Sequence, residues 1–320
     1  MATLKDIATK AGVSTATASR ALRKIGYVSE ETHARVENAS NELKYIVDNN
    51  ARQLRKGTSN LIGIIVSDIR NPFYHYVLSG FEVSIKNKNH MMLVSYSIED
   101  AETERKSLKT LISAKVSVIV FTPVCNTNRD MVEIAFENNI KVIQLYRQVY
   151  KDIDAIVMDD ELGAYYATKN LIENGCRSPM LIDVAHAQIN EMEIFPRRSD
   201  GYLKALFEAG NDIKPLILKH PLTGLAEEEL MSFLIKNKPD GVICGASRFG
   251  LEFLTLKKNT LLFNDVKLII FDDIDWVGYM NITAISQSVE QAVDSLVRLI
   301  FDREEDGPIL EKIAPRLIVR

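Results

Sequence analysis

Beyond residue 60 the chain alternates between short apolar segments and amphipathic segments, and this alternation constrains the fold more than any other feature. The amphipathic segments, such as 102–112 and 162–173, carry apolar residues at helical spacing. Continuous apolar strands separated by helices are typical of parallel sheets covered by helices on both faces. About nine or ten strands fit one large sheet or two smaller sheets, and two are expected if a ligand cleft separates two lobes. The strand-like segments are 61–66, 91–96, 116–121, 141–146, 155–159, 179–184, 240–244, 267–271 and 282–286.

The first sixty residues have a different pattern, that of short helices with brief breaks. Thr3 is a candidate N-cap with Asp6 three positions later, and Gly12 is placed to end the first helix because glycine adopts a positive φ without steric cost. Ser14 is a candidate N-cap for a second helix over 15–24. Two short helices joined by a glycine-containing turn and braced by a third helix form a helix-turn-helix.

The outward face of the second helix carries short hydroxyl side chains and one arginine. A solvent-exposed face without a binding role would instead carry alternating Glu and Lys. A generic three-helix cap on a larger enzyme is therefore the weaker interpretation. Short hydroxyl side chains let a helix approach phosphates closely, and arginine can pair with two acceptors of guanine. We therefore predict DNA contacts from Ser14, Thr15, Ala16, Thr17, Ser19 and Arg20.

The charge distribution agrees with a nucleic-acid-binding head. The whole chain of 320 residues has a net charge of −4, which divides into +4 over residues 1–60 and −8 over residues 61–320. A small basic segment on a larger acidic body is typical of a polyanion-binding module joined to a part with another task. This signal is weak alone, because many domains differ by a few charges.

Composition excludes several other classes of protein. Hydrophobic residues make up 46% and charged residues 26% of the chain, as in soluble globular proteins. No apolar run approaches the roughly 20 residues of a membrane helix, and the N-terminus turns polar within five residues, so we expect a cytoplasmic protein. Cys125, Cys176 and Cys244 are scattered, and the five histidines lack metal-ligand spacing. We expect no disulfide framework, no metal and no cofactor.

Enzymatic motifs are also missing from the sequence. There is no GxGxxG or Walker A segment, and the segment 245–250 misses the GxSxG pattern by one residue. Two alternatives to a regulator stay open at this point: an enzyme with an accessory helical head, and a cytosolic sugar-binding protein. The sugar-binding protein does not explain the helical head.

Several motifs resemble one family of proteins. Residues 3–22, TLKDIATKAGVSTATASRAL, followed by GYVSEET at 26–32, resemble the lactose-repressor (LacI/GalR) family of bacterial transcription regulators. The resemblance continues to the end of the chain, through ARQLRKG at 51–57, RSDGY at 198–202 and FDD at 271–273. It implies an all-α helix-turn-helix head plus an α/β core of two Rossmann-like lobes, similar to periplasmic sugar-binding proteins.

The family plan implies a division of this chain into three parts. These are a DNA-binding head (1–46), a hinge helix and linker (47–60) and an effector-binding and dimerisation core (61–320). The core would consist of an N-lobe (about 61–157 and 288–320) and a C-lobe (about 158–287), with three chain crossings between them. The implied function is that of a homodimeric, non-enzymatic repressor. Its affinity for a pseudo-palindromic operator in double-stranded DNA would be set allosterically by a small effector, a sugar or sugar derivative.

The resemblance also assigns a role to the hinge residues Arg52 and Leu54. In the family, a leucine at the position of Leu54 inserts into the minor groove and kinks the DNA, which costs a few kcal/mol of unstacking. This chain departs from the family nearby, since Val47 stands where proline is common and Asn49 and Asn50 stand where small or apolar residues are usual. We therefore expect a weaker contact between the two hinges of a dimer.

The resemblance places the effector among residues from both lobes. Arg198 corresponds to a residue that holds a ligand hydroxyl or carboxylate, although an arginine at a helix start can also be a surface residue. Asp272 follows a strand, where open α/β sheets place their ligands, and it could equally cap a helix. Phe73 and Tyr74 could stack on a sugar ring or pack in the core. The predicted effector residues are Phe73, Tyr74, Arg147, Arg198, Ser247 and Asp272.

The charges of these residues bear on the chemical class of the ligand. Arg147 and Arg198, with Arg248 as a possible third, would suit an anionic ligand such as a sugar phosphate or sugar acid. Ser247 and Arg248 replace a frequent Asn-Asp pair of the family, and Asp160 replaces a usual asparagine. These departures argue against a standard neutral-sugar pocket.

Overall fold

The computed structural model describes residues 2–45, 59–184, 198–210, 213–220, 227–303 and 306–320. The chain forms two compact units, Met1–Ser59 and Asn60–Arg320. The predicted hinge residues Arg52 and Leu54 lie outside the described residues, as do Val47, Asn49 and Asn50.

The N-terminal unit contains three helices, α1 (Leu4–Ala11), α2 (Thr15–Arg23) and α3 (Glu30–Glu42). At the start of α1, the Thr3 hydroxyl accepts from the backbone N–H of Asp6, and the Asp6 carboxylate accepts from that of Thr3. Gly12 follows with a φ of 65°, in the left-handed region where a glycine is unstrained. The buried side chains of the three helices form one small core of Ile7, Ala8, Ala11, Ala18, Ala21, Val36 and Ala39.

The second unit is built on two six-stranded sheets, which confirms the prediction of a two-lobed α/β core. The first sheet contains β1 (Leu61–Val66), β2 (Met91–Tyr96), β3 (Val118–Phe121), β4 (Lys141–Leu145), β5 (Asp154–Met158) and β11 (Leu310–Ile313). Their order is β11-β5-β4-β3-β1-β2, and every pair is parallel. The helices of this lobe are α4 (Pro72–Lys86), α5 (Ala101–Ser113), α6 (Arg129–Glu137) and α12 (Val289–Phe301).

The second sheet contains β6 (Pro179–Val184), β7 (Leu216–His220), β8 (Gly241–Cys244), β9 (Lys267–Phe271), β10 (Thr283–Ser286) and β12 (Arg316–Ile318). Their order is β12-β10-β9-β8-β6-β7, and all pairs are parallel except β10 with β12. The helices of this lobe are α7 (Asp160–Glu173), α8 (Arg198–Ala209), α9 (Glu227–Asn237), α10 (Ser247–Asn259) and α11 (Asp275–Tyr279), with a 3-10 turn at Leu261–Phe263.

The chain passes between the two lobes three times, after β5, after β10 and after β11. The last crossing corrects one detail of the expected plan, which assigned all of 288–320 to the N-lobe. Strand β12 pairs with β10 in the second sheet instead. The physical reason is that Leu317 packs into the core of the second lobe, and the pairing covers an otherwise open edge of β10.

Three strands, β7, β11 and β12, lie outside the nine predicted segments, and all three lie at a sheet edge. β7 and β11 alternate buried and exposed residues rather than forming a continuous apolar run, and β12 spans only three residues. The continuous runs at β3, β5 and β8 do correspond to buried strands, since every residue of these three is buried, whereas four of the six residues of the predicted run at β2 are exposed. In the described parts of the chain, no helix has the length and apolar character needed to cross a membrane.

Candidate DNA-binding face and effector cleft

The predicted DNA-contacting residues lie on and beside the first turns of α2. The Ser14 hydroxyl caps the helix by accepting from the backbone N–H of Thr17 at 3.1 Å, and the two hydroxyl oxygens are 2.9 Å apart. Ala18 and Ala21 face the core of the head, and this burial fixes which side of α2 points outward. Ser14, Thr15, Ala16 and Arg20 are exposed, whereas Thr17 and Ser19 are half-buried.

The first lobe presents a row of hydroxyl groups at the carboxyl ends of its strands. Ser67, Thr122 and Tyr146 directly follow β1, β3 and β4, and Ser97 directly follows β2. All four are buried. We call these four residues the hydroxyl row. Because the strands are parallel and adjacent, the four residues lie side by side along one edge of the sheet.

Aromatic rings surround this edge. The ring of Phe73 lies 5.0 Å from that of Tyr146, and the Tyr74 and Tyr146 rings are 6.3 Å apart, both in edge-to-face geometry. The Tyr74 hydroxyl accepts from the Ser67 hydroxyl at 2.9 Å. Phe73 and Tyr74 are both buried and form part of the lobe core. Phe73 in addition lines a cavity, so the two suggested roles of this residue, packing and ligand contact, are compatible.

Arg147 is held by a carboxylate that the sequence analysis did not single out. Its two terminal nitrogens donate to the two carboxylate oxygens of Glu99, each at 2.7 Å, and one of them also donates to the Pro123 carbonyl at 3.3 Å. Both side chains of the ion pair are largely buried. A bidentate, charge-assisted pair of this kind is strong, because little water screens it.

Arg198 is held in the same manner in the second lobe. It donates to the Asp160 carboxylate at 3.0 Å and to the Gly245 carbonyl, and its guanidinium lies 4.1 Å from the centre of the Phe271 ring. The helix packing makes this possible, because Gly201 in α8 lies directly against the backbone of Glu161 in α7. The two helix starts, which carry Asp160 and Arg198, therefore come together.

Asp272 lies in the second lobe immediately after β9 and is buried. Its carboxylate accepts from the side-chain amide of Gln287, in the segment that crosses back to the first lobe. Burial raises the pKa of Asp272 to about 6, against the opposing effect of nearby Arg198 and of hydrogen bonds from Gln287 and the Ser247 backbone. Its φ of 76° is unusual for an aspartate.

The carboxyl edges of the two sheets face each other near Asp272. Burial raises the pKa of Tyr146 well above its ordinary value, and the charges of Tyr74 and of Asp272 in the other lobe add to this effect. A cavity of about 450 Å³ opens between the lobes, and it is lined by Phe73 and Tyr76 from the first and by Asp272 and Ile274 from the second. Of the six predicted effector residues, Phe73 and Asp272 line this cavity, whereas Tyr74, Arg147, Arg198 and Ser247 do not.

Arg248, the third arginine considered in the sequence analysis, takes no part in the two ion pairs described above. Arg248 is half-exposed and donates to Glu252 at 3.2 Å, one turn later in α10. Ser247 is buried, and its backbone N–H is directed to Asp272. The other functional candidates that sequence reasoning missed, among them Glu99 and Gln287, follow strand ends, and that position is the signal that could have found them.

The described residues contain no group of three or more His, Cys, Asp or Glu side chains arranged to hold a metal ion. The three cysteines are buried free thiols.

Comparison with known proteins explains why these two units occur together. Residues 3–48 match the model of the bacterial regulatory proteins of the lacI family. Residues 59–293 match the model of periplasmic binding proteins and the sugar-binding domain of the LacI family. The chain belongs to the LacI family. It is thus a DNA-binding transcriptional regulator rather than an enzyme.

Curated relatives of this LacI-family chain cover nearly its full length. The sucrose operon repressor of Lactococcus lactis subsp. lactis is 29% identical over 96% of this chain and 94% of the relative. The HTH-type transcriptional regulator RegA of Clostridium saccharobutylicum is 30% identical over 95% of this chain and 94% of the relative. Among solved structures, the Lac repressor dimer bound to operator and the anti-inducer ONPF has the same fold, with a TM-score of 0.76 at 20% identity, covering 99% of this chain and 97% of that chain. A transcriptional regulator CelR–cellobiose complex matches with a TM-score of 0.67 at 21% identity, covering 100% of this chain and 99% of that chain.

Proposed function

We propose that this LacI-family regulator is a homodimeric repressor whose operator affinity is set by a small polyhydroxylated ligand in the cleft between the core lobes. The residues on and beside α2 that contact the operator are Ser14, Thr15, Ala16, Thr17, Ser19 and Arg20, and Arg52 and Leu54 of the hinge complete the interface. Phe73, Tyr74, Arg147, Arg198, Ser247 and Asp272 contribute to the effector site. The relatives named above include a sucrose operon repressor and a cellobiose complex, which supports a carbohydrate ligand.

The observation that carries this proposal is the hydrogen bond between Asp272 and Gln287. Asp272 lies in the cleft, and Gln287 belongs to the segment that joins the lobes. A ligand hydroxyl that donates to Asp272 shares this carboxylate with the Gln287 amide and changes the negative charge that the amide meets. Ligand binding and the conformation of the crossing segment are then energetically coupled, which is what allostery requires.

The edge strand β2 supports the dimer. Its side chains on both faces are exposed, among them Met91, Val94 and Tyr96, at 64%, 42% and 45% exposure. Strands of a parallel α/β sheet are normally covered on both faces, so an apolar, exposed edge strand is a surface for a partner. A second copy of the chain is the partner we propose, because two α2 helices can then read two operator half-sites. Sedimentation of wild type and Val94→Asp tests this: a dimer that stays intact in the variant contradicts the assignment.

DNA binding and effector response are tested on the full chain. A duplex selected from a random palindromic library is titrated by fluorescence anisotropy against a scrambled duplex at several salt concentrations. We expect preference for the selected duplex and a linear fall of log K with log salt, because phosphate contacts release counterions. No preference for any palindrome contradicts the proposal.

The same titration with a panel of sugars tests the effector site. We expect at least one sugar to change operator affinity in wild type but not in Arg198→Ala. Arg105→Ala serves as the control, because this arginine is paired with Asp130 on an exposed surface of the first lobe. A response that persists in Arg198→Ala excludes that residue from the site.

A further inference from the structure

We propose that Glu104 is a proton-binding switch of the first lobe, which transmits its charge to Arg147 through the Pro123–Val124 peptide group and makes the regulator respond to pH. The inference rests on the proposed function in its last step alone, where the conformation of the core sets operator affinity. Proton binding and its transmission are properties of the first lobe and are tested without DNA or sugar.

Glu104 is a fully buried carboxyl group that accepts from two donors. It lies in the first turn of α5 and has no exposed surface. The backbone N–H of Val124 donates to one of its oxygens at 2.6 Å, and the side-chain amide of Asn128 donates to the other at 2.8 Å. Two accepting oxygens suit the ionised form, whereas complete burial favours the neutral form.

These opposing effects leave the proton of Glu104 finely balanced. Burial raises the pKa of Glu104 to about 7 from 4.5, and it outweighs the two hydrogen bonds and the positive charge of Arg147, which favour ionisation. The negative charge of Glu99 adds to the raising effect. Glu104 is therefore mainly neutral at about pH 6 and mainly ionised at about pH 8.

The other titratable groups around Glu104 differ from it in one respect. Burial raises the pKa of Tyr150, which faces the same carboxyl group, so the tyrosine stays neutral across this range. The Tyr150 hydroxyl donates to the Cys125 carbonyl at 3.4 Å, and its ring is stacked by Arg129, whose charge is engaged by Asp152 at the surface. A change in pH therefore reaches this buried cluster through Glu104.

One peptide group connects Glu104 to Arg147. Its N–H, that of Val124, donates to Glu104, and its carbonyl, that of Pro123, accepts from the Arg147 guanidinium at 3.3 Å. In a planar trans peptide the N–H and C=O point in opposite directions, so the carboxyl group and the guanidinium lie on opposite sides of it. Hydrogen bonds in such a chain polarise one another. Ionised Glu104 therefore makes the Pro123 carbonyl a stronger acceptor for Arg147, and protonation weakens this contact.

Proton uptake also loosens the segment 122–128, which joins β3 to α6. A neutral carboxyl group is a weaker acceptor than a carboxylate, so both donors to Glu104 are held less firmly once it is protonated. One of them is Asn128, which directly precedes α6 and whose side chain also donates to the Ala101 carbonyl instead of capping its own helix. The start of α6 is thus tied to the start of α5 through Glu104.

The change reaches the carboxyl edge of the first sheet. Thr122 of the hydroxyl row begins the loosened segment, and Arg147 directly follows Tyr146 of the same row. Arg147 is also paired with Glu99 at 2.7 Å, so the three charged side chains carry one excess negative charge when Glu104 is ionised and none when it is neutral. Because this edge faces the second lobe, the arrangement of the core and operator affinity should be linked to the proton.

The amide signal of Val124 reports the charge of Glu104 directly. NMR spectra of the full chain with isotope-labelled valine are recorded between about pH 6 and 8, and the signal is assigned by its loss in Val124→Ile. We expect it to shift with a midpoint near 7 in wild type. Glu104→Gln should abolish the shift, whereas Glu102→Gln, on the exposed face of α5, should retain it. A Val124 signal that does not move in wild type, or that moves equally in Glu104→Gln, overturns the inference.

A second variant keeps the test decisive if Glu104→Gln does not fold. Glu99→Gln retains Glu104 but removes a like charge, so the midpoint of the Val124 signal should move to lower pH. An unchanged midpoint contradicts the assignment of the titration to Glu104. Transmission is read from the side-chain N–H signals of Arg147 in protein with isotope-labelled arginine, assigned by their loss in Arg147→Lys. They should follow the same midpoint, and signals that stay fixed overturn the transmission.

Operator affinity tests the regulatory step. Fluorescence anisotropy compares binding to the selected duplex at about pH 6 and 8 at constant ionic strength and without sugar. We expect the ratio of the two affinities to differ by about fivefold or more between wild type and Glu104→Gln, and Glu102→Gln to behave as wild type. Equal ratios overturn the response to pH. A chain that prefers no palindrome contradicts the proposed function instead, and the NMR titrations still decide whether Glu104 is a switch.

Discussion

Replacing Gly201 by alanine tests whether the close approach of α7 and α8 builds the second-lobe half of the cleft. A Cβ atom at this position would lie 1.8 Å from the backbone oxygen of Glu161. A carbon and an oxygen in van der Waals contact need well over 3 Å, so the helices must separate by about 1.5 Å. Because the obstacle is backbone rather than a flexible side chain, rotation of a side chain cannot relieve it.

The expected destabilisation follows from two opposing contributions. Overpacking of a well-packed core costs about 1–3 kcal/mol, and a backbone clash belongs at or above the upper end. Alanine in place of glycine within a helix stabilises the folded state by about 1 kcal/mol. We expect a net loss of about 2 kcal/mol, which lowers the Tm of a unit of this size by roughly 4–8 °C. Circular dichroism during thermal unfolding measures the change.

Gly80→Ala is the matched control. Gly80 also lies inside a helix, α4, but its Cβ would meet the Val293 side chain at an ordinary 3.4 Å. This variant should be as stable as wild type or slightly more stable. A Gly201→Ala protein with the Tm of wild type and an intact ligand response would refute the reasoning, because it would show that the Arg198–Asp160 pair does not depend on the helix spacing.

Three further predictions concern DNA binding and pH. If Arg20 reads a base, Arg20→Ala should weaken operator binding by about 1–3 kcal/mol and relax the sequence preference. Arg23→Ala, at the end of α2, should weaken binding less. Anisotropy titrations against single-base operator variants compare the two variants. Leu54→Ala should reduce operator bending, measured by energy transfer between dyes at the duplex ends, and unchanged bending would reject a wedge at this position. Burial raises the pKa of Glu104 to about 7 from 4.5, so the folded state binds this proton more tightly than the unfolded state. Below pH 4.5, Glu104 therefore makes its full contribution to the free energy of unfolding, which is at most about 3 kcal/mol. This contribution is lost as the pH rises through 7. Urea unfolding across this range should show a flatter pH dependence for Glu104→Gln but not for the exposed control Glu102→Gln.

The sequence predicted the parts of the fold that depend on local periodicity. The continuous apolar runs at β3, β5 and β8 become fully buried strands because both faces of the parallel sheet are covered there. The cap at Thr3 and the left-handed Gly12 are equally local, since each is decided by two or three neighbouring residues. Edge strand β11 was missed because it alternates in burial and is held by pairing with β5, a segment more than 150 residues away in the chain.

For the candidate cleft, the sequence predicted which residues belong to it but not which of them contact each other. Resemblance located Arg147 and Arg198, but it did not reveal that each faces a carboxylate. The partner of Arg147 lies 48 residues earlier and that of Arg198 lies 38 residues earlier. These pairings are made by the sheet order and by the contact of α7 with α8, neither of which leaves a periodic trace in the sequence. The charged partner of each arginine could therefore be found only from the structure.

The number of chain crossings decides how such a regulator can be recombined. The two lobes are interleaved by three crossings, so an exchange of one lobe between homologues needs three compatible junctions at once. The head precedes the core in one continuous stretch, and one junction is enough to transplant it. A hybrid of this chain that recognises a different operator therefore needs only one junction. A response to a different effector has to be introduced by point substitutions at the strand ends.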